Sequence, residues 1–334
     1  MAANDYGNTS PGATAPGTMV RGATTPETSA PGASDEGAAW AEGCAWVDGR
    51  FVPIGQATIP LLDSGFSRSD VTYDVVAVWR GSFFRLDDHL DRFERSAGRL
   101  HLDPGLSRDQ IVDVLHGCVA RAGLDDAYVD LILTRGLPRP GSRDPRTYVN
   151  RFYAYAIPYV WIVRPDDQLV GSHLVIARNT VRIPEASVDP TVKNFHWGDL
   201  VRGLFEAYER GGTVVALPDQ DGNLTEGPGF NVFVVRDGEL ATPGRGVLEG
   251  VTRRTVLELA AEAGIPAELT DIGVDEVAGA DEVFLTSTAG GVMPVTTVDG
   301  RPVGSGAPGP LTLQLRQAYW DAHVDPRWTT PVRR

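Results

Sequence analysis

Lys193 is the single lysine in this chain, among 30 lysines and arginines taken together. Arginine serves wherever a solvated surface cation is wanted. Its guanidinium stays protonated, however, whereas a lysine can be desolvated into a neutral, nucleophilic amine. One lysine kept where every other basic position is arginine therefore points to amine chemistry. Four further features could act with that amine. Arg85 follows Phe83 and Phe84 at a strand end and precedes a helix, a seat for an anion-binding fork. Leu248-Glu249-Gly250-Val251-Thr252 leads into a helix whose free N–H groups favour an anion. Ser287-Thr288-Ala289-Gly290-Gly291 ends a strand with hydroxyls followed by glycines, a second phosphate-sized loop. Thr225-Glu226-Gly227 sets one carboxylate before a glycine-rich bend that runs to Asn231. Taken singly, these also read as a solvated arginine, a capping threonine, a plain turn and a turn glutamate.

The elements around these residues must aim them. Trp197, Leu200, Val201, Leu204, Phe205 and Tyr208 recur at helical spacing and predict an amphipathic helix over 194–210, stopped by Gly211-Gly212. Strands are predicted over 173–177 and 180–183, so Lys193 sits where a loop enters a helix. Upstream, Asp48-Gly49 turns a hairpin. Val71–Trp79 reads as a strand, with Ser82–Arg85 returning beside it. A helix opens at Asp87 or Asp88, and a second at the capping box Ser107-Arg108-Asp109-Gln110. Strands at 127–134 and 151–156 flank a proline-broken basic loop, Gly136–Arg146. Downstream come strands at 213–217 and 281–286, hairpins turning at Asp237-Gly238 and Asp299-Gly300, and helices from Thr252 and over 310–323. Strands cluster before helices in both halves, which predicts an α+β fold.

Composition divides the chain into four parts. Residues 1–37, rich in Gly, Ala, Pro, Ser and Thr, predict a disordered tail. A small α+β domain is expected over 38–155, a linker over 156–165 and a larger domain over 166–334. The net charge of −14 argues against a nucleic-acid partner. No apolar run reaches the roughly 20 residues of a membrane span. The N-terminus does not read as a secretory signal, and Cys44 and Cys118 are too few for a disulfide framework. The expectation is a cytoplasmic protein. No set of metal ligands is predicted.

One amine, one carboxylate and a phosphate cup are what pyridoxal 5'-phosphate requires. The motifs extend that reading. Phe84-Arg85-Leu86-Asp87-Asp88-His89 with Arg92, Val192-Lys193-Asn194 with Trp197-Gly198-Asp199-Leu200, and Thr225-Glu226-Gly227 with Gly229-Phe230-Asn231 occur in order, followed by Gly250-Val251-Thr252-Arg253 and Thr288-Ala289-Gly290-Gly291. From Ala38 onward the chain resembles the fold-type IV pyridoxal-phosphate enzymes, which include branched-chain and D-amino acid aminotransferases. It most closely resembles the (R)-selective amine transaminases. The resemblance implies that Lys193 is the Schiff-base lysine and proton shuttle, and that Glu226 pairs with the pyridine nitrogen. It implies that Arg85, the backbone N–H groups of Val251 and Thr252, and the Thr288 hydroxyl hold the phosphate, with Leu248 against the ring. Tyr73, Val75, Tyr128, Trp197 and Ala289 would line the substrate pocket. On strands and a helix face, Tyr73, Val75, Tyr128 and Trp197 also read as ordinary core.

The chain departs from its relatives at two places. Arg68 stands where they often carry histidine, at the pocket mouth. The arginines of Gly136–Arg146 are shifted in register, so Arg139 and Arg143 are both candidates for the mobile arginine that receives a keto-acid carboxylate. The reaction implied is transfer of an amino group from an (R)-configured primary amine to a 2-keto acid such as pyruvate, in a homodimer with the site between domains. The alternatives are a D-amino acid or branched-chain aminotransferase, an aminodeoxychorismate lyase of the same fold, and a non-catalytic binding protein.

Overall fold

A computed structural model gives the architecture and describes residues 40–334, so the tail expected over 1–37 lies outside the described residues. Two sheets carry the fold. The first holds β1 (Cys44–Val47), β2 (Arg50–Pro53), β3 (Val71–Trp79), β4 (Ser82–Phe84), β5 (Ala127–Leu137) and β6 (Val149–Pro158). The second holds β7 (Ser172–Ile176), β8 (Val214–Ala216), β9 (Glu226–Gly227), β10 (Phe230–Arg236), β11 (Glu239–Pro243), β12 (Ala267–Thr270), β13 (Glu282–Ser287), β14 (Gly291–Val298) and β15 (Arg301–Pro302). The last strand, β16 (Thr329–Pro331), returns to pair with β4. The C-terminal end therefore belongs to the first sheet, although the sequence assigns it to the domain over 166–334.

β3 is the strand that the site depends on. Its β-branched and aromatic residues are buried along almost its whole length, as suits a strand covered on both faces. Val76 and Val78 join Leu90 and Phe93, of the helix Leu86–Arg99, in the first core, and free Cys44 and Cys118 are buried in the same core. Tyr73 and Val75 face the other way. The helices are α1 (Ser64–Arg68), α2 (Leu86–Arg99), α3 (Arg108–Ala122), α4 (Pro165–Val170), α5 (Gly198–Glu209), α6 (Val251–Glu262), α7 (Val274–Val277) and α8 (Pro310–Asp321). Among the described residues, none is long and apolar enough to cross a membrane. The predicted capping box is present at α3, where the Ser107 side chain accepts from the Gln110 N–H. At α2 the N-cap is Arg85, in the left-handed region at φ 54°, and Asp87 and Asp88 fall in the first turn, where the helix dipole favours them.

Two expectations change. Residues 180–183 form no strand. The segment runs irregularly because the Arg182 guanidinium is drawn inward to Asp199 and Glu226. The helix expected over 194–210 begins at Gly198, so Lys193 stands on an irregular stretch before it. Its apolar positions also divide: Leu200 is buried, whereas Val201, Phe205 and Tyr208 are exposed.

An aromatic seam joins the two sheets. Phe84 of β4 stacks on His323 at 3.8 Å, and the Trp328 carbonyl accepts the Arg85 N–H at 2.6 Å. Trp328 also lies under the Arg85 guanidinium at 5.0 Å. Trp328→Ala should therefore lower unfolding stability by about 2–3 kcal/mol in a denaturant titration. An unchanged midpoint would contradict this role for the seam.

Candidate active site

The Lys193 side chain enters a cavity of about 340 Å³ between the two sheets. Nζ lies 4.4 Å from the centre of the Tyr73 ring, and no oxygen of a described residue is within hydrogen-bonding distance of it. Lys193 keeps accessible surface where it borders the cavity, and protein surrounds it elsewhere. Loss of water, with the Arg92 charge next in weight, pushes the amine down to about 8. Asp74, Asp130 and Glu226 pull in the opposite direction.

Arg92 reaches the cavity from α2. Its Nε and Nη2 each donate to Asp74 of β3 at 2.7 Å. His89 Nδ1 lies 2.8 Å from the same carboxylate. Burial works against ionisation of Asp74, but the Arg92 charge and the bonds from Arg92 and His89 outweigh it and hold the carboxyl below its usual range. The remaining Arg92 nitrogen, Nη1, donates to the Glu249 carbonyl at 3.2 Å. That contact sets the guanidinium beside the N-terminus of α6, where Gly250 is the N-cap. The N–H groups of Val251 and Thr252 have no partner within the helix at such an end. Gly250 is required here, because a Cβ would stand 2.2 Å from Asn231 Oδ1. Asn231 Nδ2 in turn fixes the Leu248 carbonyl at 2.9 Å.

Glu226, on β9, is held at both oxygens. Oε2 accepts the Leu248 N–H at 2.9 Å, and Oε1 accepts from Arg182 Nε and Nη2, each at 3.2 Å. Arg182 Nη1 donates to Asp199 at 2.7 Å. Burial raises Glu226 above its ordinary value, against Arg182, the Leu248 N–H and Lys193.

The fold brings most of the sequence-predicted residues to this one cavity. Lys193, Glu226, Leu248, Val251, Thr252 and Thr288 line it. So do Tyr73, Val75, Tyr128, Trp197 and Ala289. Arg85 does not. Its guanidinium is taken up by Asp88, by Glu258 at 2.5 Å and by Thr255 at 3.1 Å. Arg92, from the same motif, stands at the cavity instead, so the arginine that the motif brings to the site is Arg92 and not the expected Arg85. Arg68 closes α1 and donates to the Tyr148 hydroxyl at 2.8 Å, away from the cavity. Arg139 and Arg143 are exposed on the loop after β5 and do not line it.

Sequence reasoning gave no site role to Asp74, to Arg182, read only as a strand residue, or to Asp199, quoted only within a motif. A signal existed for Arg92, which lies three residues after His89 and next to Phe93 on the buried side of α2. A charge there requires a buried partner. No local pattern marks Asp74 or Arg182, whose partners lie on other elements.

The residues fit pyridoxal phosphate. The cavity is lined by a guanidinium beside a helix N-terminus, by the Thr288 residue of the turn after β13, by a lone amine and by a buried carboxylate held from behind. The amino-transferase class IV family model matches residues 72–298. The branched-chain-amino-acid aminotransferase of Pseudomonas aeruginosa is 30% identical over 87% of this chain and 98% of its own. The D-alanine aminotransferase of Bacillus licheniformis is 29% identical over 81% of this chain and 94% of its own. The crystal structure of the branched-chain amino acid aminotransferase from Thermobaculum terrenum, in its pyridoxal-phosphate holo-form, superposes with a TM-score of 0.78 at 26% identity, covering 87% of this chain and 98% of that one.

Exchange of the two arginines for lysine separates their roles. Arg92→Lys keeps the charge and loses the fork, so affinity for pyridoxal phosphate in an absorbance titration should fall about ten- to a hundredfold. Arg85→Lys should leave that affinity within about twofold and lower the melting temperature instead. The reverse pattern would restore Arg85 as the phosphate residue.

Proposed function

The chain belongs to the class IV aminotransferases, which use pyridoxal phosphate, and on that premise we propose that it moves an amino group between an (R)-configured primary amine and a 2-keto acid such as pyruvate. The wall of the cavity carries this reading. Tyr73, Val75, Tyr128 and Trp197 give it an aromatic and apolar face. Of its two arginines, Arg182 is engaged by Asp199 and Glu226, and Arg92, paired with Asp74, is set beside the start of α6, where the cofactor's phosphate would take it up. An amino acid's α-carboxylate entering here would lose water without meeting a free guanidinium, which is costly; a hydrophobic amine would not bear that cost. The resemblance of the motifs to those of (R)-selective amine transaminases is the ground for the stereochemical half of the proposal.

Pyridoxal phosphate, when bound, supplies a carbonyl that takes up amines and a ring that withdraws electrons. The chain supplies the rest. Arg92, the start of α6 and Thr288 would hold the phosphate. Glu226, held by Arg182 and the Leu248 N–H, would offer the pyridine nitrogen an oriented carboxylate. Lys193 Nζ would take the proton from the substrate's Cα and pass it to the cofactor's former carbonyl carbon, and an amine pushed down to about 8 can hold or release a proton near neutral pH. The aromatic wall excludes water around that transfer.

The carboxylate of a keto-acid acceptor still needs a cation. Arg139 and Arg143 are the candidates for swinging inward, and Arg68 is the next. A homodimer is part of the proposal: Leu61, Leu62, Phe66 and Phe205 are exposed apolar side chains that a second copy would cover. The named relatives support a second reading, in which the donor is a branched-chain or D-amino acid.

A half-reaction decides between these readings. Loss of the cofactor's visible band should be fastest with an (R)-configured hydrophobic amine, at least about tenfold ahead of its (S) enantiomer, D-alanine and L-leucine. Faster reaction with either amino acid would overturn the amine reading in favour of the second.

A further inference from the structure

The carbonyl of Lys193 is held by the first sheet. Thr72 Oγ1 donates to it at 2.8 Å, and the Tyr73 N–H donates to it at 3.2 Å. These are consecutive residues of β3, and Thr72 also forms an isolated antiparallel bridge with Asn194. The geometry has a simple origin. Along one edge β3 pairs with β5 from Val71 to Val78. Along the other, β4 covers only Val78 and Trp79. The N-terminal half of that edge would be left with open backbone donors, and such an edge recruits another chain segment. Lys193-Asn194 takes it.

Packing also holds the segment, through buried Val192 and through Phe195 on the Tyr73 ring at 4.5 Å, but its other hydrogen bonds are local. Its own bonds are short-range: Val192 N–H to the Asp189 carbonyl at 3.2 Å, Asn194 Nδ2 to the Val192 carbonyl at 2.8 Å, and His196 N–H to Asn194 Oδ1 at 2.9 Å. A further link is exposed, from Arg99 at the end of α2 to Asp189 at 2.8 Å and to Thr191. Thr72, by contrast, is fully buried. The same strand carries the Tyr73 ring that faces Nζ and the Val75 wall. One strand thus sets both ends of the lysine, its backbone through Thr72 and Tyr73 N–H, and its amine through the Tyr73 ring.

We propose that Thr72 is a positioning residue for Lys193: its hydroxyl, with the Tyr73 N–H, fixes the Lys193 carbonyl to the edge of β3 and so sets where the amine stands over the Tyr73 ring. The kinetic part rests on the aminotransferase reading; the placement of the amine does not. A displacement on the order of 1 Å in an aimed group is enough to cost about a hundredfold in rate.

The sole lysine makes the test direct. In cofactor-free protein, acylation of Lys193 by a small amine-reactive ester can be followed by mass spectrometry of its peptide. Thr72→Val keeps the shape and removes the donor, and Thr72→Ser keeps the donor. The valine variant should label Lys193 at least about threefold faster than the parent chain and, with cofactor, lower kcat about tenfold while KM for the amine stays within about twofold. The serine variant should match the parent in all three. Equal labelling and kcat in the valine variant would overturn the proposal. So would failure of serine to rescue. If the parent chain proves inactive while valine still speeds labelling, the placement stands and the functional reading falls. Should the valine variant not fold, amide exchange in the parent decides: Tyr73 N–H should be protected like its β3 neighbours, and rapid exchange there would refute the clamp.

Discussion

An amine held out of water without a hydrogen bond is the constraint around which the site is built. Lys193 Nζ stands over an aromatic face beside a guanidinium, in surroundings that favour its neutral form. Three carboxylates prevent that preference from becoming complete, and each is managed separately. Asp74 is satisfied by Arg92 and His89, and Glu226 by Arg182 and the Leu248 N–H. Asp130 is satisfied at one oxygen only, by the Tyr155 hydroxyl at 3.0 Å, and Oδ1 has no partner. Burial pushes its carboxyl up to about 8, against the Tyr155 hydroxyl and the Lys193 charge. Removing Arg92 or Arg182 would leave a buried carboxylate unpaired, which costs more than the bond itself is worth.

The two sheets contribute unlike things to the cavity. The first brings the aromatic wall, the Asp74–Arg92 pair and the edge that receives the lysine carbonyl. The second brings Glu226, the start of α6 and the hydroxyl-bearing turn after β13. Their relative placement therefore determines the chemistry, and the aromatic seam maintains it. Trp320 packs against Trp79 at 4.8 Å and Trp161 at 5.6 Å, tying α8, β3 and the connection between the sheets. Burial pushes the His323 imidazole down to about 4, so the ring that stacks on Phe84 is neutral and packs as an apolar group. β16 then closes the first sheet from the C-terminal side, a role that a three-residue strand gives little sign of in sequence.

The sequence revealed what local patterns encode. The strand Val71–Trp79 matches to the residue, because a run of β-branched and aromatic residues specifies a buried strand. The capping box at Ser107 matches because its chemistry is contained in four residues. Lys193 stood out by composition, and Glu226 by its place before a glycine bend. The errors share a cause. Arg85 and Arg92 lie in one motif, and only the packing of α2 on β3 shows that the first is consumed by Asp88 and Glu258 while the second reaches the cavity. Arg182 reads as a strand residue until Glu226 and Asp199 are placed around it. Val201, Phe205 and Tyr208 look like core by periodicity, yet the single chain leaves them exposed. Pairings between distant elements are set by tertiary geometry and leave no periodic trace.

Because Lys193 is the only lysine, protein labelled with 15N and 13C in lysine alone gives one side-chain amine resonance to titrate in the cofactor-free chain. The account predicts a single transition with its midpoint near 8, the value to which burial and Arg92 push this amine. A midpoint at the ordinary lysine value of about 10.4 would show a solvated ammonium and contradict the central claim that the fold desolvates and aims this group.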